Sequence, residues 1–203
     1  MPKVDLKKEN KEFYYPSTKE VSVVELPEMK FLMIDGQGDP NTSKEYQDAM
    51  QTLFPVVYKT KFVNKKEKSQ DYVVMPLEGL WWVNNMEDFS MEDRSSWKWT
   101  VMIRQPDFIT EAFINTAKKE IEKKRNLPTL SKLRFENFEE GSSVQIMHIG
   151  PYGEAEAPAV QKLHEFIENK GYELRGKHHE IYISDMRRTK PEKLKTVIRQ
   201  PFR

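Results

Sequence analysis

"TVMIRQP" at residues 100–106 and "TVIRQP" at residues 196–201 are nearly one phrase written twice, once near mid-chain and once at the carboxy-terminal end. The two copies lie much further apart than the units of a solenoid, at a spacing that fits a small domain instead. Working outward from each copy gives the same series of elements. In front of the first, "MKFLMIDGQGDP" (29–40) predicts a strand ending at a turn, where an apolar run meets Gly36, Gly38 and Pro40. Thr42 and Glu45 have capping-box spacing, and Tyr46, Ala49, Met50, Leu53 and Val57 recur on one helical face. Pro55 predicts a kink or an early end, because proline removes a backbone donor and collides with the preceding turn. Two strands follow, 71–83 and 95–106, joined by the acidic, Met-containing loop "NNMEDFSMEDR" (84–94).

The second series repeats this order. "SSVQIMHIGPYG" (142–153) predicts a strand and turn, and 157–171 a helix with Pro158 in its first turn, Val160, Leu163, Phe166 and Ile167 on its apolar face and Gly171 as its stop. Strands over 176–185 and 193–202 complete it. Each "IRQP" then ends the last strand of its unit. The expected fold is α+β, built of tandem pseudo-symmetric β-α-β-β units with antiparallel sheets. The expected division is a leader over 1–24, repeat one over 25–106, a linker over 107–139 and repeat two over 140–203. The linker carries an amphipathic helix over 110–126 with Phe113, Ile114, Ala117 and Ile121 on one face.

Composition excludes several classes of function. A chain of 203 residues can bury a real core. It has no run of about 18 apolar residues, so no membrane partner is expected, and its charged first twenty residues do not read as an export signal. With zero cysteines there are no disulfides, thiolate nucleophiles or zinc–thiolate sites, which is compatible with a cytoplasmic protein. The net charge of +1, with acids and bases interspersed, lacks the cationic footprint of a nucleic-acid binder. "DGQGDP" lacks the phosphate-loop lysine and the dinucleotide spacing, so no cofactor is expected. His148, His164, His178 and His179 do not share ligand spacing on one helix, and no metal site is expected. "KKEIEKKRN" reads as a solvated helix face.

The stretches "FLMIDGQGDPN", "VQIMHIGPYGE", "HHEIYISDMRRTKPEKLK" and the closing "VIRQP" resemble the gyrase-inhibitor-like (GyrI-like) small-molecule-binding proteins, over roughly residues 25–203. The resemblance implies a ligand groove between two halves, lined by aromatic side chains and a functional glutamate. Members of that family include drug-sensing domains of transcription regulators. Some stand-alone members are similar to hydrolases that open activated cyclopropane rings in DNA-alkylating natural products, which implies detoxification and drug resistance. One departure is Met186, where proline often follows the aspartate.

Within 176–185, alternation sends Glu180, Tyr182 and Ser184 to one face and Ile181 and Ile183 to the other. The isoleucines are expected against the helices, leaving Glu180 and Tyr182 to the groove. Glu180 fits two readings, a satisfied polar residue at a strand edge or the family's pocket glutamate acting as general base or counter-charge. Tyr152, in "HIGPYGE", either caps the core or presents its hydroxyl to the groove as a hydrogen-bonding partner. Glu78, in "PLEGLWWV", aligns loosely with Glu180 and reads equally as a bulge residue in solvent. His148 is a further groove candidate. Trp81, Trp82, Trp97 and Trp99 crowd one hairpin, either as cross-strand pairs or as a slot for planar ligands formed by Trp82, Trp97 and Trp99.

Two classes of function remain. One is an enzyme adding water to cyclopropane alkylators, with Glu180 and Tyr152 as its catalytic residues. The other is a non-catalytic protein sequestering planar aromatic or cationic drugs. A drug-responsive regulator is not expected, since about 25 residues are too few for a helix-turn-helix reader.

Overall fold

The computed structural model describes residues 3–86, 89 and 94–203. Of the loop expected over 84–94, residues 87, 88 and 90–93 lie outside the described residues. The strands are β1 (Ser22–Leu26), β2 (Met29–Gln37), β3 (Glu78–Trp82), β4 (Lys98–Gln105), β5 (Arg134–Phe138), β6 (Gly141–Ile149), β7 (His178–Tyr182) and β8 (Lys195–Pro201). The helices are α1 (Leu6–Glu9), α2 (Lys11–Tyr14), α3 (Lys44–Lys68), α4 (Glu111–Glu122) and α5 (Ala157–Asn169). Among the described residues the strands form one eight-stranded sheet, antiparallel throughout, in the order β1-β6-β8-β7-β3-β4-β2-β5.

Two short connections force this sheet to curl. Pro27 and Glu28 join β1, at one edge, to β2, beside the opposite edge; Glu139 and Glu140 join β5, at that opposite edge, to β6, beside β1. Each link reaches about 10 Å. A flat sheet would separate the joined strands by six steps of about 4.8 Å each. The sheet is therefore a half-barrel. β1 straddles the boundary expected between leader and repeat one, and β5 falls in the stretch read above as linker. They are five residues long, and the adjacent exposed Glu136 and Asn137 of "RFENF" break the alternation that marks a half-buried strand.

The repeated phrase lies in β4 and β8, each flanked by the first and second strands of its own series. Its isoleucines and arginines face opposite ways. Ile198 packs on Leu163 and Ile167 of α5, and Ile103 joins the core beneath α3 and α4. Arg104 and Arg199 point to the inner surface of the half-barrel, where both hold the N-terminal segment. Arg104 Nη1 donates to Asn10 Oδ1 at 3.0 Å and to the Tyr14 hydroxyl at 3.3 Å, while Arg199 Nη2 donates to the Phe13 carbonyl at 2.7 Å. Leu6 and Tyr14 are buried. The residues read as a leader thus fill the inside of the sheet.

Helix α3 differs from expectation in two ways. Its cap is Ser43 rather than Thr42, with Ser43 Oγ accepting from the Tyr46 amide at 3.3 Å. It also runs unbroken through Pro55 for 25 residues. The carbonyl that proline leaves without a donor belongs to Gln51, an exposed residue, while Leu53, Val56 and Val57 hold the turn to the sheet. Solvent can satisfy that carbonyl and burial outweighs the lost bond. In α4 the buried residues are the four expected. Of the apolar face expected for α5, Leu163 and Ile167 are buried and Val160 and Phe166 partly so.

Candidate functional site

β3 and β7 pair at the centre of the sheet, with Gly79 opposite Glu180 and Trp81 opposite His178. These residues face the helices. Above them, between α3 and the tight turn Gly153–Glu156 that leads into α5, opens a groove of about 630 Å³. Tyr46, Phe54 and Tyr58 of α3 line one wall, Trp81 and Trp97 the floor and end, and Tyr152 and Glu156 the other wall, with Glu180 and Tyr182 between. β3 carries no side chain at Gly79, and the missing Cβ leaves room for the Trp81 ring: an added Cβ would fall 2.7 Å from Trp81 Nε1.

Alternation along β7 sends Glu180 and Tyr182 to the groove, but that groove lies on the helix-covered face. Glu180 pairs with Ile198 of β8, which packs on α5. Ile181 is opposite, clustered with Val197, Met147, Leu6 and Tyr14. The expectation that the isoleucines face the helices is therefore corrected for Ile181, while Ile183, just past the end of β7, lines the groove. The groove occupies a gap between helices, and the N-terminal segment supplies the second apolar surface that Ile181 needs.

Two carboxylates share this groove in opposite states. Glu180 accepts from the Tyr182 hydroxyl at 2.6 Å and lies 3.2 Å from His178 Nε2. Burial pushes its carboxyl up, but the His178 and Tyr182 hydrogen bonds and the Arg94 charge outweigh that and hold it below the ordinary range. Glu156 accepts from the Gly153 amide at 2.6 Å. Burial first, then the Glu180 charge, push it up to about 8, so it carries a proton at neutral pH. Its Oε1 is buried with no hydrogen-bond partner among the described residues. Tyr152 meets Tyr182 edge-on, centroids 5.2 Å apart, and burial with the neighbouring acids pushes its hydroxyl up to about 12. It remains a donor.

The aromatic floor is one connected stack. Trp81 stacks with Tyr46 at 6.1 Å and tilts against Trp97 at 5.5 Å, and Trp97 in turn stacks on Phe89 at 4.8 Å. Trp99 is not part of the lining. It is fully buried beneath Tyr46 and over Gly36, where an added Cβ would fall 2.2 Å from its ring. Trp82 lies on the opposite face, with Lys177 Nζ 3.4 Å above its ring. Both were expected in the slot. Adjacent residues in a strand point apart, and it is Trp81, opposite His178 in the register, that faces the groove.

Glu78 and His148 do not line the groove either. Glu78 is buried inside the half-barrel, 3.1 Å from His179 Nε2. His179 Nδ1 lies 3.0 Å from Glu140, which Arg199 Nη1 reaches at 3.2 Å. Burial lowers the His179 pKa, but Glu140 and Glu78 outweigh it and hold it above its ordinary value. His179 and Arg199, against burial, hold the Glu140 carboxyl below its ordinary range. His148 Nε2 lies 3.0 Å from the Pro151 carbonyl and braces the turn before Tyr152. Sequence reasoning missed Glu156, Tyr46, Trp81 and Arg94. Among the described residues no group of three His, Asp or Glu side chains is placed to hold a metal ion, and no helix is long and apolar enough to cross a membrane.

A curled antiparallel sheet with helices on one face and an aromatic, carboxylate-bearing groove between them defines a small-molecule-binding fold. The family model of the GyrI-like small molecule binding domain matches residues 19–203, and the chain belongs to that family. It is similar to an uncharacterized conserved protein from Listeria innocua, at 42% identity over 99% of this chain and 100% of that one, with a TM-score of 0.91. It is also similar to two crystal structures of hydrolases from Listeria innocua. One has 41% identity over 100% of both chains and a TM-score of 0.87; the other has 40% identity over 99% and 100%, with a TM-score of 0.84. No curated protein matches the chain.

Proposed function

We propose that the protein is a hydrolase that binds planar, lipophilic molecules in the groove and adds water to activated cyclopropanes, a detoxifying reaction. The observation that carries this reading is the carboxylate pair, one ionised and one protonated, on the wall of an aromatic slot. Two like groups with separated protonation states can act as base and acid in one step. The similar hydrolases from Listeria innocua support the enzyme class.

In a cyclopropane fused to a conjugated dienone, the Glu180 carboxylate accepts a proton from water as the water oxygen bonds to the ring methylene. The strained C–C bond breaks, and its electron pair moves through the conjugated ring to the carbonyl oxygen. Glu156 delivers its proton to that oxygen, with the Tyr152 hydroxyl as a hydrogen-bond donor nearby. The products are an alcohol and a phenol, and the proton gained by Glu180 returns to Glu156 through solvent. Trp81 and Trp97 hold the planar rings.

The test is Glu180→Gln, which keeps the shape and removes the titratable carboxylate. Turnover of a cyclopropane-fused dienone should fall by about 10²–10⁴-fold, while binding of its ring-opened product should change little. A folded Glu180→Gln protein with the parent rate contradicts the mechanism. A parent that binds the compound without consuming it points to the sequestering protein instead.

A further inference from the structure

The groove opens beside three large apolar side chains that the fold leaves in solvent. Tyr58 lines it from α3 and Met186 from the turn after β7, yet Tyr58 is 47% exposed and Met186 66%. Phe62, one turn beyond Tyr58 on the same row of α3, is 57% exposed. Single exposed apolar residues are ordinary, but three at the lip of one cavity mark a contact surface.

The charges around this lip repeat one arrangement, an acid between two cations. Asp185 pairs with Arg187 and Arg188, and Asp71 with Lys61 and Lys65. Glu120 pairs with Lys59 and feels the charge of Lys66 as well. Each group is left with one positive charge. Lys59, Lys65 and Lys66 are the neighbours of Phe62 three and four residues away on α3, and Arg187 and Arg188 directly follow Met186. Arg187 and Tyr58 interact electrostatically, so helix and turn form one surface, and Lys7 adds a cation at the groove itself.

We infer that this lip is a peripheral docking surface for an anionic lipid bilayer: Phe62, Tyr58 and Met186 enter the interface, and the surrounding lysines and arginines meet its phosphates. No helix of the described residues is long and apolar enough to cross a membrane, and a contact that lies on the surface needs none. Tyrosine and lysine, each with an apolar body and a polar tip, suit the headgroup layer. A nucleic acid would use the cations but would set Phe62 and Met186 against phosphates. The docking is independent of turnover. Its purpose, to take lipophilic molecules from the lipid in which they concentrate, rests on the groove being the ligand site.

Co-sedimentation of the full chain with lipid vesicles tests this. Vesicles of phosphatidylcholine with about a third phosphatidylglycerol should retain the parent, pure phosphatidylcholine should retain it far less, and added salt should release it by screening. Phe62→Ser with Met186→Ser should weaken binding to the anionic vesicles by about tenfold or more, because two apolar side chains no longer leave water. Lys65→Glu with Arg188→Glu should weaken it too. Val23→Ser, at an exposed position that does not line the groove, should leave it unchanged. All of these positions are exposed, so the variants should fold. No retention by anionic vesicles overturns the inference. Retention that survives Phe62→Ser with Met186→Ser, or that Val23→Ser reduces equally, reduces the effect to a general attraction and overturns it as well. A parent that ignores the vesicles but dimerises in sedimentation velocity, and loses the dimer with Phe62→Ser and Met186→Ser, makes the lip an interface between copies instead. The vesicle assay contains no groove ligand, so its outcome is separate from that of the turnover test.

Discussion

Glu156 and Glu180 show how neighbours decide what one residue type can do. Glu180 sits between donors and stays ionised, whereas Glu156 has the Gly153 amide and a like charge across the cavity. Turnover needs Glu180 without its proton and Glu156 with one. The pH–rate profile should therefore lose activity on the acid side only below the ordinary glutamate range, and on the alkaline side as pH rises through about 8. Glu156→Gln should remove the alkaline limb; a limb that survives unmoved assigns it to another group. The same shift has a stability consequence. The folded pKa of Glu156 is above its unfolded value, so the folded state binds more protons between the two, and stability falls as pH rises through that window. Thermal unfolding of Glu156→Gln should thus show a larger gain over the parent at pH 9 than at pH 5. Glu180 was legible because strand alternation and the family motif both pointed to it. Glu156 was not, because "GEAEAP" has no periodicity and only the tight turn at Gly153–Glu156 selects which acid faces inward.

At the scale of strands and helices, parity was readable and sidedness was not. Alternation separates Trp81 from Trp82 and Glu180 from Ile181, but which set meets the groove depends on what covers each face. Here the N-terminal segment covers the inner face, and its charged, short helices gave no sign of packing. The consequence is testable with planar ligands. Trp81→Phe with Trp97→Phe should abolish ligand-induced quenching of intrinsic fluorescence, whereas Trp82→Phe should retain it; loss of quenching on changing Trp82 alone would contradict the assigned faces. The glycines beneath the indoles are a second check. Gly36→Ala places a Cβ 2.2 Å from a fully buried ring and should cost about 1–3 kcal/mol or more in chemical denaturation. An unchanged midpoint would mean that Trp99 does not lie over Gly36.

Across the whole molecule, the duplicated phrase accounts for more than symmetry. Both of its arginines hold the N-terminal segment inside the half-barrel, and Arg199 also closes the buried series Glu78, His179 and Glu140. His179→Ala removes the group that bridges buried Glu78 and Glu140, leaving Arg199 on Glu140 alone, and should destabilise the fold by about 3–5 kcal/mol. The contribution of His179 is present in full below its unfolded pKa of about 6.5 and is lost as pH rises through its raised folded value. Glu140 works the other way, its contribution being lost as pH falls through its depressed folded value. Denaturation midpoints of the parent should therefore exceed those of His179→Ala by most between these limits, and a pH-independent difference would contradict a protonated His179.

The central claim is that the carboxylate pair adds water to a strained ring. It is tested most directly by incubating the protein with a cyclopropane-fused dienone in ¹⁸O-labelled water and following product mass. The account predicts many equivalents of a product heavier by one labelled water, with the label on the new alcohol. Unaltered compound recovered after stoichiometric binding, or unlabelled product, would contradict it.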